Sequence, residues 1–217
     1  ITAIDTRHPI TGPNHVRGAA ETFAWTGDTD FLRDVLPGMR RALRFTLSEF
    51  DVERRGCVRV SWVGHDGRSG LSVAADGRKT LHPGRGVGNN YWDLLPFGGD
   101  DALATVYLYD ALRRMAEVER AAARHPEWRL PADPAPFDPR RLERLAEKVR
   151  RTAGRRFWNA ETGRFCGWRD LSGRAYDYGF TFVNLEAIHY GLATPAQARR
   201  ILAWLDGERE VPGDTSR

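Results

Sequence analysis

The chain has 217 residues, 41% hydrophobic and 11% aromatic, which suits one sizeable globular core and argues against a disordered segment. Its formal charge of +4 is carried almost wholly by arginine, since Lys79 and Lys148 are the only lysines, and the arginines are scattered along the sequence rather than gathered into the stripe a nucleic-acid surface needs. No apolar run approaches the ~20 residues that cross a bilayer.

The densest arginine groups (Arg40, Arg41 and Arg44; Arg140, Arg141 and Arg144; Arg150, Arg151, Arg155 and Arg156) are expected on solvated helix faces. Neither nucleic acid nor membrane is an expected partner. Cys57 and Cys166 make no disulfide framework, and no paired Cys or His spacing predicts a metal site or a cofactor. The opening ITAIDTRHPI has no basic and apolar secretory pattern, so with two cysteines the expected location is the cytoplasm. The oligomeric state is left open.

In chain order, Asn14 to Trp25 has the three-and-four apolar spacing of a helix, ended by Gly27. A second helix follows, capped by Asp28 or Thr29. Its inward stripe is Leu32, Val35, Leu36, Met39, Leu43, Leu47 and Phe50, and Pro37 is expected to kink or restart it. The short turn makes the pair an antiparallel hairpin. From Cys57 to Val63 the period changes to two, predicting a strand with Val58, Val60 and Trp62 on one face. Gly64 to Gly88 carries turn signals without a period and reads as a long irregular loop. Its GRGVG lacks the Lys-Ser/Thr and the strand-to-helix setting of a phosphate loop.

Gly88 to Tyr109 (GNNYWDLLPFGGDDALATVYLY) is the stretch the rest is arranged around. Amides (Asn89, Asn90), aromatics (Tyr91, Trp92) and a carboxylate (Asp93) precede a bend at Pro96-Phe97-Gly98-Gly99. Aromatic faces bind the apolar face of a sugar, amides and carboxylates bind its hydroxyls, and a carboxyl beside Trp92 can have its pKa raised enough to donate a proton. A polar loop whose Tyr and Trp merely cap a core fits the same composition. Asp100 or Asp101 caps the longest helix, running to about Arg124, apolar nearly all round to Tyr109 and striped thereafter.

Pro131 to Pro139 is a connector, and Asp138-Pro139 starts a helix that buries Leu142, Leu145, Ala146, Val149 and Phe157. Turns at Glu161-Thr162-Gly163 and Leu171-Ser172-Gly173 flank GRFCGWRD and predict a small β-hairpin between helices. A helix then spans Phe180 to Tyr190, and Thr194-Pro195 opens another with Ala198, Ile201, Leu202 and Leu205 inward. The expected fold is mainly α: about six helices paired into hairpins, a part of an (α/α)6 toroid with small β-hairpin insertions. A full ring of twelve needs about twice this chain, so residues 1–217 are expected to form a single toroid catalytic domain without its C-terminal part.

The runs HVRGAAETFAWTGDTDFLRDVLPGMRRAL, NNYWDLLPFGGDDALATVYLYDALRRMAEV and FWNAETGRFCGWRDLSGRAYDYGFTFVNLEAIHYGLAT together resemble the (α/α)6 six-hairpin glycoside hydrolases. The likeness lies nearest the α-L-rhamnosidases and the family 63 and trehalase-like α-glycosidases. It implies an inverting glycosidase acting on a small glycoside or oligosaccharide. Its general acid would stand on the loop before an inner helix, which matches Asp93 after Tyr91-Trp92. The trehalase-like enzymes carry Glu-Ser-Gly ahead of the aromatic, where this chain has Asn89-Asn90-Tyr91. Asn89, Asn90, Tyr91, Trp92, Trp62, Arg7 and Asp100 are the candidate sugar contacts.

Inversion needs a second carboxyl ~6.5–9.5 Å from the first, to deprotonate a water on the far face of the sugar. It is expected beyond Arg217. Within the chain Glu186, read as a buried partner of an arginine, and Asp177 are the substitutes. Two other readings stay open. A polysaccharide lyase or sugar epimerase would use Tyr91, His65 or His82 as base, and a non-catalytic sugar-binding or scaffold module would keep the aromatics without a perturbed carboxyl.

Overall fold

In a computed structural model the chain is described over residues 8–60, 71–76, 78–81 and 99–214, with backbone alone at 71–73 and 79–81. The fold is mainly α with small antiparallel sheets. Helix α1 (Thr11–Thr26) ends at Gly27, and Asp28 caps α2 (Thr29–Glu49) by accepting the Asp30 and Phe31 amides at 2.9 Å. So brief a turn folds α2 back along α1. Along α2 the residues Leu32, Leu36, Met39, Leu43, Leu47 and Phe50 are buried as expected, while Val35 is half-buried.

Pro37 does not break α2, which runs unbroken to Glu49. A proline inside a helix costs about 3 kcal/mol. Leu32, Leu36, Met39 and Leu43, fully buried on both sides of it, each contribute about 1.5–3 kcal/mol in one helical register. Arg40 also departs from the expected solvated face. It is 5% exposed, and its Nε and Nη2 donate to the two oxygens of Glu119 at 2.7 Å each, while Nη1 donates to Pro131 O at 2.9 Å.

After α3 (Val52–Arg55) comes β1 (Val58–Val60), with Val58 and Val60 buried and Arg59 half-buried, the expected alternation. The stretch read as an irregular loop contains an antiparallel pair, β2 (Leu71–Val73) and β3 (Lys79–Leu81), with Leu71 opposite Leu81. Strand β4 (Gly99–Asp101) leads into α4 (Ala102–Arg124), whose cap is Asp101, accepting Ala104 N at 2.9 Å. Helix α5 (Pro139–Arg156) is capped by Asp138 as expected.

In place of one hairpin between helices there are two. Strand β5 (Trp158–Asn159) pairs with β6 (Arg164–Phe165), while β7 (Trp168–Arg169) pairs with β8 (Ala175–Tyr176) and joins a four-stranded sheet of order β1-β4-β7-β8. The second turn is built by Asp170, which takes the Ser172 hydroxyl, the Tyr176 hydroxyl and the Ser172 and Arg174 amides. Burial pushes that carboxyl up, but these donors hold it below the ordinary range. Helix α6 (Thr181–His189) is a residue shorter at each end than expected, and α7 (Pro195–Leu205) carries a Thr194/Gln197 capping box. In α7 Trp204 is fully buried beside Ile201, and Leu202 is 43% exposed instead of inward. The three-residue step from Ile201 keeps Trp204 on the core face and turns Leu202 off it.

Side-chain contacts set the helix directions. Arg33 near the start of α2 bonds Trp128 O past the end of α4, Arg40 meets Glu119, and Val58 N bonds Thr105 near the start of α4, so α2 is antiparallel to α4. Arg17 meets Asp110, and further along α1 Phe23 packs edge-on against Trp128, so α1 is parallel to α4. Glu186 meets Tyr107, and Tyr190 O accepts from Arg113, so α6 is parallel to α4 as well. Helices α1, α4 and α6 therefore lie side by side and begin at one rim; α2 and α5, whose start meets Arg120 and whose end meets Asp100, run back against them.

Cys57 and Cys166 are free and buried. Burial pushes each thiol up to about 12, so at pH 8 the reactive thiolate is scarce and inaccessible. Neither should react with an aromatic disulfide reagent in the folded protein, and both should react in denaturant. Rapid labelling of either thiol in the native state would contradict this packing.

Candidate active site

Arg7, Trp62, Asn89, Asn90, Tyr91, Trp92 and Asp93 lie outside the described residues, as do His65 and His82. The described residues that neighbour several of them in the chain lie at the rim where α1, α4 and α6 begin. Gly99, the first described residue after Asp93 in the chain, stands at this rim as the start of β4. A Cβ there would lie 2.2 Å from Arg169 O and 2.9 Å from Asp170 Cα, and Gly99 has φ +64°, so both the close approach of β7 and the backbone conformation require glycine. Below it the Thr105 hydroxyl donates to Asp101 O at 2.6 Å and accepts from Val58 N at 3.0 Å, fastening β1 and β4 to the first turn of α4.

Asp100 is 1% exposed. One of its oxygens pairs with Arg156, and the other lies 3.5 Å from Arg59 on the neighbouring strand. A carboxylate so buried needs those cations, because an unpaired charge there would be heavily penalised. The described role of Asp100 is thus to tie β4 to β1 and to the end of α5.

Beside β4, on β7 and β8, stands a feature absent from the expectations above. Trp168 and Tyr176 stack at 4.5 Å and 6° across β7 and β8, and Tyr178 meets Trp168, Tyr176 and Phe180 at 5.9, 6.3 and 5.9 Å. Phe180 continues to Phe182 at 5.6 Å, on the first turn of α6. Tyr178 is 57% exposed. The signal was present as aromatics at every second position of RAYDYGFTF, the period of an extended segment laying one face down.

Deeper along the same helices, the Arg17 guanidinium lies between the Tyr107 and Tyr190 rings, 4.3 and 4.1 Å from their centres, and bonds Asp110 at 3.1 Å. Asp110 also accepts from Arg114. The Tyr107 hydroxyl donates to Glu186 at 3.2 Å. Burial and then the Glu186 charge push the Tyr107 phenol up to about 12, and Tyr190 is raised by burial and by Glu186 against the opposing pull of Arg17. Glu186 is therefore held by phenol in place of the expected arginine, because Arg17, the cation at this face, is committed to Asp110.

Asp177 is engaged on both oxygens by Asn159, Thr162, Arg164 and Gly179 N, at 2.9, 2.6, 2.7 and 3.3 Å. With four donors it has no capacity to take a proton from water. The FW-x-x-x-TG-x-F motif is thus a structural turn closed by Asp177. Among the described residues no group of three His, Cys, Asp or Glu side chains could hold a metal ion, and no helix is long and apolar enough to cross a membrane.

No family model matches the sequence, and no curated protein matches it. Among solved structures the chain is similar to the GH78 family rhamnosidase of Bacillus sp. GL1, at 17% identity and a TM-score of 0.57, over 89% of this chain and 17% of that one. It is similar also to a rhamnosidase from Klebsiella oxytoca with rhamnose bound, at 16% identity and a TM-score of 0.54, over 90% of this chain and 30% of that one. The chain thus spans less than a third of the length of either. At this identity the likeness is one of fold, and the fold is glycosidase-like.

Proposed function

We propose that the protein is an inverting glycoside hydrolase whose three helical hairpins belong to an (α/α)6 toroid, with its sugar site on the rim where α1, α4 and α6 begin. The observation that carries this reading is the partly exposed aromatic ladder around Tyr178, standing beside β4, the strand that follows the Asn89–Asp93 stretch in the chain. The fold likeness to two rhamnosidases supports it.

In this reading Asp93 protonates the glycosidic oxygen as the bond to the anomeric carbon breaks, and the electron pair of that bond stays with the leaving alcohol. A water on the opposite face attacks the anomeric carbon and gives its proton to a carboxylate base. Trp92, Tyr91 and Trp62 pack on the sugar ring, while Asn89, Asn90 and Arg7 bond its hydroxyls. Asp100, occupied by Arg59 and Arg156, holds the floor of the loop. Of the described carboxylates on this face, Asp110 and Asp177 are taken by cations or by several donors. Glu186, held by phenol, is the one with capacity to act as base.

Tyr178 tests the placement of the site. Its exposed ring is expected to stack on a sugar, so Tyr178→Ala should raise KM about tenfold with kcat nearly unchanged, and Tyr178→Trp should restore KM. Initial rates on aryl glycosides, α-L-rhamnosides among them, give both constants. An unchanged KM in the alanine variant would move the site away from this ladder.

A further inference from the structure

On the far side of the sheet from Asp101, between α3 and the end of α5, lies a cavity of about 360 Å³ lined by Arg54, Arg55, Arg155, Arg156, Thr152 and Asp100. It exists because α3 ends against α5 at Gly56: a Cβ there would stand 2.5 Å from the Thr152 hydroxyl oxygen, and Gly56 has φ +73°. That contact sets Arg54 and Arg55 opposite Arg155 and Arg156.

The charges around this cavity do not balance. Arg54 and Arg55 share Asp51, and Arg156 and Arg59 share Asp100. Arg155 is exposed at the mouth and has no partner among the described residues. Five guanidinium groups thus face two carboxylates. The C-terminal ends of α3 and α5 would each add about half a negative charge. Those carbonyls are already engaged by further cations, the Lys148 ammonium at Glu53 O and Arg54 O and the Arg169 guanidinium at Arg156 O. Like charges gathered in one concavity repel at a cost to the fold and draw a counter-ion. That every cation lining the cavity is arginine matters too, since the planar guanidinium fork matches the two oxygens of a carboxylate or phosphate.

We propose that this cavity is a binding site for a small oxyanion, with the fork of Arg155 and the remaining Nη1 of Arg54 reaching it while Arg54 Nε and Nη2 stay on Asp51 and Arg156 stays on Asp100. The ligand group is a phosphate or sulfate, or the carboxylate of an acidic sugar. Because the cavity opens between α3 and α5, the site is separate from the Tyr178 ladder and does not depend on the glycosidase reading.

Calorimetric titration of the protein with inorganic phosphate and with glucuronate, each at ionic strength matched with chloride, tests it. Saturable binding of at least one is expected, the tighter ligand identifying the group. R54Q/R155Q should lose affinity about tenfold or more with unchanged circular dichroism, whereas R140Q/R199Q, which removes two exposed charges elsewhere, should not. Failure to bind either anion, or equal loss in both double variants, would overturn the site.

Discussion

Replacing Asp93 by asparagine is expected to lower kcat for an unactivated glycoside about a thousandfold or more, within the range a positioned proton donor supplies. The loss should shrink sharply for a dinitrophenyl glycoside, whose leaving group departs without a proton. That contrast separates a donor from a residue that merely shapes the loop, which would damage both substrates alike. The two carboxylates next in the chain are poor substitutes: Asp100 is buried between arginines, and Asp101 caps α4. If Asp93→Asn leaves both substrates untouched, the acid is not on this loop at all.

The largest stability effect is expected at Glu119. Its removal leaves the Arg40 guanidinium 5% exposed and without the bidentate partner that offsets its desolvation. Breaking one side of a buried pair costs about 3–5 kcal/mol, so Glu119→Ala should lower Tm by about 10 °C in a chain of this length. Replacing both partners by apolar residues, Arg40→Met with Glu119→Leu, removes the orphaned charge and should recover most of that loss. Thermal melts of the two variants decide the matter, and a double variant no better than the single one would show that the pair does more than neutralise itself.

That pair also shows where the sequence stopped being legible. Helix positions, caps and the hairpin between α1 and α2 followed from local spacing, because Gly27, Asp28, Asp138 and Thr194 act on their immediate neighbours. Arg40 was placed on a solvated face because its partner lies 79 residues away, and nothing within a helical turn announces such a pair. Pro37 misled for the same reason: its penalty is local, whereas the packing that overrides it is tertiary. Strand β4 is spelled Gly-Asp-Asp, a sequence with no strand propensity, and it is a strand only because β1 and β7 flank it.

For the site, the composition of the stretch before α4 supplied the candidates, but it assigned roles one residue at a time. Asp177, a candidate base by sequence, is held by four donors, and Glu186, expected beside an arginine, is held by the Tyr107 hydroxyl. Tyr178 was overlooked because alternation of aromatics signals an extended face without saying whether that face is covered.

The most direct test of the account follows one turnover by proton NMR, with an aryl glycoside the protein accepts, reading the anomeric configuration of the sugar as it first appears. Inversion relative to the substrate is the predicted result, as it requires a water held between two carboxyls. Release of the sugar with retained configuration, or of an unsaturated sugar from elimination, would contradict the mechanism proposed for this rim.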